Sequence, residues 1–200
     1  MGEVVKLENP QLVRSLQTAY SAERAASFAY IGHAASLRDS EEIEAVRRIE
    51  QDEWDHRREV RAIMDEHGIP VSRWLEWKFW WIGKAIGLSC HVIGKFMPYF
   101  FAGKLESGNV CEYFVMMREF RSLGINRHDE VLYEMGVREK EHEVHFLEMV
   151  RDASWLPHFE RVFSWGVEQS ANDVDLEELL GVERAGEYCR RFRETDRVTD

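Results

Sequence analysis

Asp52-Glu53-Trp54-Asp55-His56 and Glu139-Lys140-Glu141-His142 each contain Glu-x-x-His, and the surroundings of the two motifs decide the fold. Positions three apart are neighbours on an α-helix, so each motif sets a carboxylate beside an imidazole. At 100° per residue the first pair falls on the stripe of Val46, Ile49, Val60, Ile63 and Met64; Leu132, Met135, Phe146, Met149 and Val150 frame the second. Glu134, Glu141 and Glu148 lie on the opposite side of that second helix, as surface charges should. Both pairs therefore point at an apolar interior, where a charge is costly unless something compensates it.

Helical periodicity extends over about Leu7 to Leu37, Glu41 to His67, Pro98 to Leu123 and Asp129 to Arg151. Asp39 or Ser40 can cap the second stretch, with Glu42 placed for a capping box behind Asp39. Gly68 and Pro70 end it, and Gly124 ends the third. Short links make the first and second, and the third and fourth, antiparallel neighbours, whereas the long segment from Val71 to Met97 joins the second to the third. The fold class expected is all-α: a four-helix bundle over residues 1–167, with an aromatic connecting helix within 71–97 and further helix after Pro157. Residues 168–200 read as an acidic, solvated tail.

The stripe of the first helix, Leu12, Leu16, Ala19, Ala34 and Leu37, takes in Glu23 and Tyr30. The third helix offers Glu106 and Glu112, which six residues of separation place about 120° apart, so they cannot share one face. Lys104, Glu112, Arg118 and Glu119 gather on one side, and Glu106 lies opposite with Ala102, Val110, Tyr113, Met117 and Phe120. Glu106 is therefore the inward carboxylate.

One Glu on each of helices one and three, with Glu-x-x-His on each of helices two and four, is the ligand set of bundle proteins that hold two metal ions in carboxylates. Four unpaired buried carboxylates would cost far more than a fold stable by ~5–15 kcal/mol can absorb, and no matching set of Lys or Arg shares their stripes. Oxygen donors with two imidazoles suit iron or manganese better than zinc. The metal ligands expected are Glu23, Glu53, His56, Glu106, Glu139 and His142, holding two iron ions, with manganese as the other choice. His145 and Glu143 read as solvated groups or neighbours of the ligands, and His33 as a core histidine. Tyr30 and Tyr113, each one helical repeat beyond a ligand, are candidates for hydrogen-bonding a ligand or relaying an electron.

A net charge of −11 over 200 residues argues against general nucleic-acid binding, which needs a basic surface. Cys90, Cys111 and Cys189 are far apart and form no CxxC, so no disulfide framework is expected; a reducing, cytoplasmic compartment fits. The polar, acidic start from Met1 to Pro10 reads as no export signal.

With these residues in view, the chain resembles the demethoxyubiquinone hydroxylase family, ferritin-like di-iron monooxygenases of ubiquinone biosynthesis. The likeness runs from about Ser15 to Phe163: Glu23, Tyr30 and Gly32; Glu53 to His56, Pro70 and Trp77; Gly83, Gly87, Gly94 and Lys95; then Glu106, Tyr113, Glu139 to His142 and Pro157. Three places depart from the family pattern. The Ala-Met-x-Cys-Thr stretch before the third-helix Glu is absent, His33 stands where the family has Gln, and Cys111-Glu112 stand where it has two His. The resemblance implies a ferritin-like fold with these six ligands, O₂ and a quinone as substrates, and a peripheral place at the inner face of a membrane.

Trp74, Trp77, Phe79, Trp80, Trp81, Phe96, Tyr99, Phe100 and Phe101, with Arg73, Lys78, Lys84, Lys95 and Lys104 and one acid, Glu76, make a basic aromatic island in an acidic chain. Lysines, glycines and Pro98 interrupt it, so it is not a spanning helix. It reads either as an interfacial helix on an anionic membrane or as a helix covering the bundle or a homodimer contact. Three functions follow. The first is a monooxygenase that activates O₂ at two irons and hydroxylates a hydrophobic, quinone-like substrate. It needs an external electron donor, since the chain has neither a Rossmann fingerprint nor a cysteine cluster. The second is a ferroxidase or peroxide-scavenging iron-handling protein on the same ligands. The third is a metal-free, membrane-associated interaction module.

Overall fold

Asn9 opens the first helix: its side-chain oxygen accepts the N–H groups of Gln11 and Leu12 at 3.0 and 3.1 Å, and Pro10 occupies the first turn, where its missing N–H costs nothing. This is α1, Pro10–Ser36. Asp39 caps α2, Ser40–Glu66, through Glu41 and Glu42, and Gly68 turns the chain away at φ 64°. Ser72 caps α3, Arg73–Ser89; α4 is Phe96–Ser122, followed by Gly124 at φ 74°. Then come α5, Asp129–Val150, and α6, Leu156–Phe163. The computed structural model describes residues 6–168, and among these there are six helices and no strand. The four long helices fall within a turn of the expected ranges, α3 lies in the aromatic connection, and α6 follows where further helix was expected. The tail expected at 168–200 lies, apart from Glu168, outside the described residues.

The chain divides into two compact units, Met1–Pro98 and the part from Tyr99 onward. In the first, α1 packs on both α2 and α3. Tyr20 lies under the Arg57 guanidinium and Phe28 meets Trp54 edge-on, so α2 runs antiparallel to α1 as its short link requires. Helix α3 runs parallel to α1: Arg24 meets Glu76, Ala25 meets Gly83, and Phe28 and Gly32 meet Gly87. The backbones touch there. A Cβ on Gly32 would lie 2.3 Å from the Gly87 Cα, and one on Gly83 would lie 2.5 Å from the Ala25 carbonyl oxygen. Glu76 turns inward and binds Arg24 at 2.9 Å and Arg57 at 2.8 Å. Burial raises its pKa, but the hydrogen bond and charge of Arg57, with help from Ser21 and Arg24, hold it below the ordinary value. Trp74, Trp77, Trp81 and Leu88 are exposed along α3, with Arg73, Lys78 and Lys84 among them.

In the second unit α4 and α5 are antiparallel: Tyr99 meets Phe146, Phe114 stacks on Tyr133, and Arg121 binds Asp129 at 2.7 Å. Val110, Phe114, Met117, Phe120, Leu132, Phe146 and Val150 are fully buried, each large side chain contributing about 1.5–3 kcal/mol. Helix α6 lays Phe159 and Phe163 against Phe100 and Phe101. Beyond it Trp165 fills a slot over Gly103, where a Cβ would lie 2.0 Å from the indole. Cys90 is a free, buried thiol whose pKa burial raises. Cys111 is disulfide-bonded, one bond the sequence reading did not expect, and Cys189 lies outside the described residues.

Candidate metal centre

Each unit buries one carboxylate-and-imidazole triplet. In the first, α1 supplies Glu23 and α2 supplies Glu53 and His56, with relative exposures of 4, 0 and 5 %. One donor atom from each lies within 4.8 Å of the others. The neighbouring stripe residues Leu16, Ala19, Ile49 and Val60 are buried with them, so the apolar face aims these groups inward. In the second unit α4 supplies Glu106 and α5 supplies Glu139 and His142, at 1, 0 and 3 % exposure and within the same 4.8 Å. His142 Nδ1 stands 3.7 Å from Glu139 Oε2, the side-by-side placement that a spacing of three produces.

The choice between Glu106 and Glu112 follows the facing argument, with one addition. Glu106 is buried with Ala102, Val110, Tyr113, Met117 and Phe120, and its Oε2 accepts a hydrogen bond from Asn109 Nδ2 at 2.9 Å. Burial first, then the charge of Glu139 and a hydrogen bond with it, push its pKa well up, while His142 and Asn109 pull the other way. Glu112 is only half-buried, yet it is not the plain surface charge expected. Desolvation, then the Glu139 charge, push it up to about 7. Carboxylates gathered this way resist ionising together, and a divalent cation reverses that by favouring their charged forms.

Around the second motif the structure excludes a solvated Glu143 and buries a lysine that the sequence had not marked out. Glu143, expected to be solvated or next to a ligand, is 1 % exposed; its Oε2 accepts from Lys140 Nζ at 2.8 Å and its Oε1 from Trp165 Nε1 at 2.8 Å. Lys140, unremarked in the sequence, is 2 % exposed. A cation thus does lie buried next to Glu139 in sequence, and its ammonium is engaged by Glu143. The i,i+3 spacing of Lys140 and Glu143 was the available signal. His145 is half-buried and packs against Phe146, and His33 is 2 % exposed, as a core histidine is. Tyr30 and Tyr113 are buried at 5 and 1 % exposure, one in each unit.

Carboxylate oxygens with one imidazole per triplet form a hard, anionic donor set with the composition that iron and manganese accept. These buried Glu and His groups could hold a metal ion. Compared with family models, curated proteins and solved structures, the chain matches none. No helix among the described residues is long and apolar enough to cross a membrane.

Proposed function

We propose that this protein is a di-iron carboxylate oxidoreductase, a monooxygenase that hydroxylates a hydrophobic, quinone-like substrate. The observation that carries the reading is the repeated buried triplet, Glu23, Glu53 and His56 in one unit and Glu106, Glu139 and His142 in the other. Together the six side chains match in number and kind what two irons or two manganese ions require in a helical bundle, which is the ferritin-like arrangement the sequence resembles. Bound iron would supply O₂ activation. The chain's part is to neutralise the cations with four carboxylates, hold them through two imidazoles, and keep water from the site with the surrounding apolar stripes. Tyr30 and Tyr113, buried and one helical repeat beyond Glu23 and Glu106, would in this reading hydrogen-bond ligands or relay an electron. An external donor supplies the electrons. The exposed face of α3 fits docking on an anionic membrane: Trp74, Trp77 and Trp81 for the headgroup level, Arg73, Lys78 and Lys84 for lipid charge, and the one acid of the helix turned inward onto two arginines.

Protein produced with ample iron should carry close to two irons per chain by elemental analysis. Glu53→Ala and His142→Ala should each lose most of it, because removing one ligand leaves its partners as uncompensated buried charges. Parent-level iron in both variants would overturn the assignment. Given reductant and O₂, the loaded protein should convert a short-chain quinone to a hydroxylated product. Rapid Fe(II) oxidation or peroxide consumption without that product would favour the iron-handling function instead.

A further inference from the structure

Helices α1 and α3 run parallel, and between their amino-terminal ends the structure opens a cleft of about 480 Å³. That volume falls in the range of small-molecule sites, and the lining has their make-up, apolar surface with a few polar groups. Val13 of α1 and Leu75 of α3 contribute apolar surface, Glu8 and Arg14 one charge of each sign, and Trp74 an indole. Gln17 Nε2 donates to the Pro70 carbonyl at 2.7 Å, which ties the chain ahead of α3 to α1. Trp74 stacks on Trp77, ring centroids 5.2 Å apart, and stays 65 % exposed. Glu8 and Arg14 are exposed, and neither makes an ion pair or side-chain hydrogen bond with another described residue. Opposite charges that line one cleft without pairing to each other suit a ligand that carries both.

We propose that this cleft binds the headgroup of a zwitterionic phospholipid, with the phosphate at Arg14 and the ammonium between Glu8 and Trp74. A guanidinium matches phosphate oxygens, and an ammonium is drawn both to a carboxylate and to the π-face of an indole. Val13 and Leu75 take the glycerol and the first acyl carbons. Trp74 also begins the exposed aromatic face of α3, so a lipid held here continues that face. The inference rests on the membrane-docking reading of α3, not on the metal site, and adds to it a particular lipid. Anionic lipid attracts the cations of α3 from a distance, but a purely anionic head in the cleft would meet the like charge of Glu8.

The test titrates dihexanoylphosphatidylcholine and dihexanoylphosphatidylglycerol, each below the concentration at which it forms micelles, into the full chain and follows binding by calorimetry. The choline lipid should bind saturably, one per chain, and the glycerol lipid about fivefold more weakly or worse. Arg14→Gln and Trp74→Ala, both at exposed positions where a substitution disturbs folding little, should each weaken the choline lipid about three- to tenfold. Glu8→Lys should reverse the preference, so that the glycerol lipid binds the tighter. Glycerophosphocholine, the same head without acyl chains, should bind about tenfold more weakly than the short-chain lipid, and equal binding would overturn the lipid in favour of a free solute. No saturable binding by the parent, or Arg14→Gln and Glu8→Lys chains that bind both lipids as the parent does, would overturn the proposal even where the parent sediments with vesicles. Saturable short-chain binding by a parent that sediments with no vesicle would sustain the cleft and overturn the docking reading of α3 instead.

Discussion

Glu106 and Glu112 share a helix, and both carry pKa values raised by burial and by Glu139, but their surroundings assign them different tasks. Glu106→Gln should abolish oxidase chemistry and sharply weaken metal binding, while Glu112→Gln, which removes a half-buried carboxylate outside the triplet, should keep the metal by elemental analysis. The reverse result would show that the facing argument on α4 is wrong. Glu112 also makes a prediction about pH. Its pKa of about 7 in the folded chain, against 4.5 for the ordinary group, means that the folded state binds its proton more tightly than the unfolded state does. The stability this contributes is full below about 4.5 and is lost as pH rises through about 7. In the metal-free protein, Glu112→Gln should therefore flatten the fall in stability across that window by roughly 1–3 kcal/mol, allowing for partial solvent screening. Urea melts of parent and variant at both ends of the window measure it, and parallel pH profiles would contradict it.

At the scale of the helix, the α1–α3 crossing shows why local propensity is a poor guide to what a glycine is for. Ala is a better helix former than Gly by about 1 kcal/mol, and Gly32, Gly83, Gly87 and Gly108 all lie inside helices. Gly108 has open space around its missing Cβ, so Gly108→Ala should stabilise the protein by up to about 1 kcal/mol. A Cβ on Gly32 would meet the Gly87 backbone at 2.3 Å, which cannot yield as a side chain end does. Gly32→Ala should push α3 off α1 and cost about 1–3 kcal/mol despite its gain in propensity. Chemical denaturation of the two variants side by side tests the contrast, and a stabilised Gly32→Ala would mean that the two helices do not touch there. Glu76 secures the same crossing by charge. Because its folded pKa is lowered, the stability it adds is present above its ordinary value of 4.5 and is lost as pH falls through the folded one.

On the scale of the whole molecule, a net charge of −11 should repel anionic lipid, so membrane attachment has to come from a local surface. Helix α3 offers Trp74 at 65 %, Trp77 at 56 % and Trp81 at 54 % exposure, with Trp80 less exposed than these. Each Lys or Arg near the surface adds about 1 kcal/mol, which salt screens, whereas inserted indole is insensitive to salt. Co-sedimentation with vesicles containing anionic lipid should show binding that salt weakens and that replacing Trp74, Trp77 and Trp81 with Ser weakens further. Absent binding in the parent, together with a triple variant that dimerises less, would make this face a contact between copies of the chain. The quinone-hydroxylase reading would then lose its route to a membrane-dissolved substrate.

The four long helices, their caps at Asp39, Gly68 and Gly124, and the inward direction of Glu23, Glu53, His56, Glu106, Glu139 and His142 could all be read along the chain. The reason is that helical periodicity is local: a residue's face depends on neighbours three and four positions away, and the apolar side of each helix is the side that folding buries. Partners contributed by distant segments were out of its reach. Glu143 could be read as solvated or as a neighbour of the ligands; Trp165, brought back by the turn after α6, closes over it and leaves Lys140 paired with it in the interior. The need for Gly32 appears only when Gly87 arrives at its backbone. The α3 face is free of exposed acid only because Arg24 and Arg57, on two other helices, draw Glu76 inward. Periodicity reports which way a side chain points, and only packing in three dimensions supplies what it meets there.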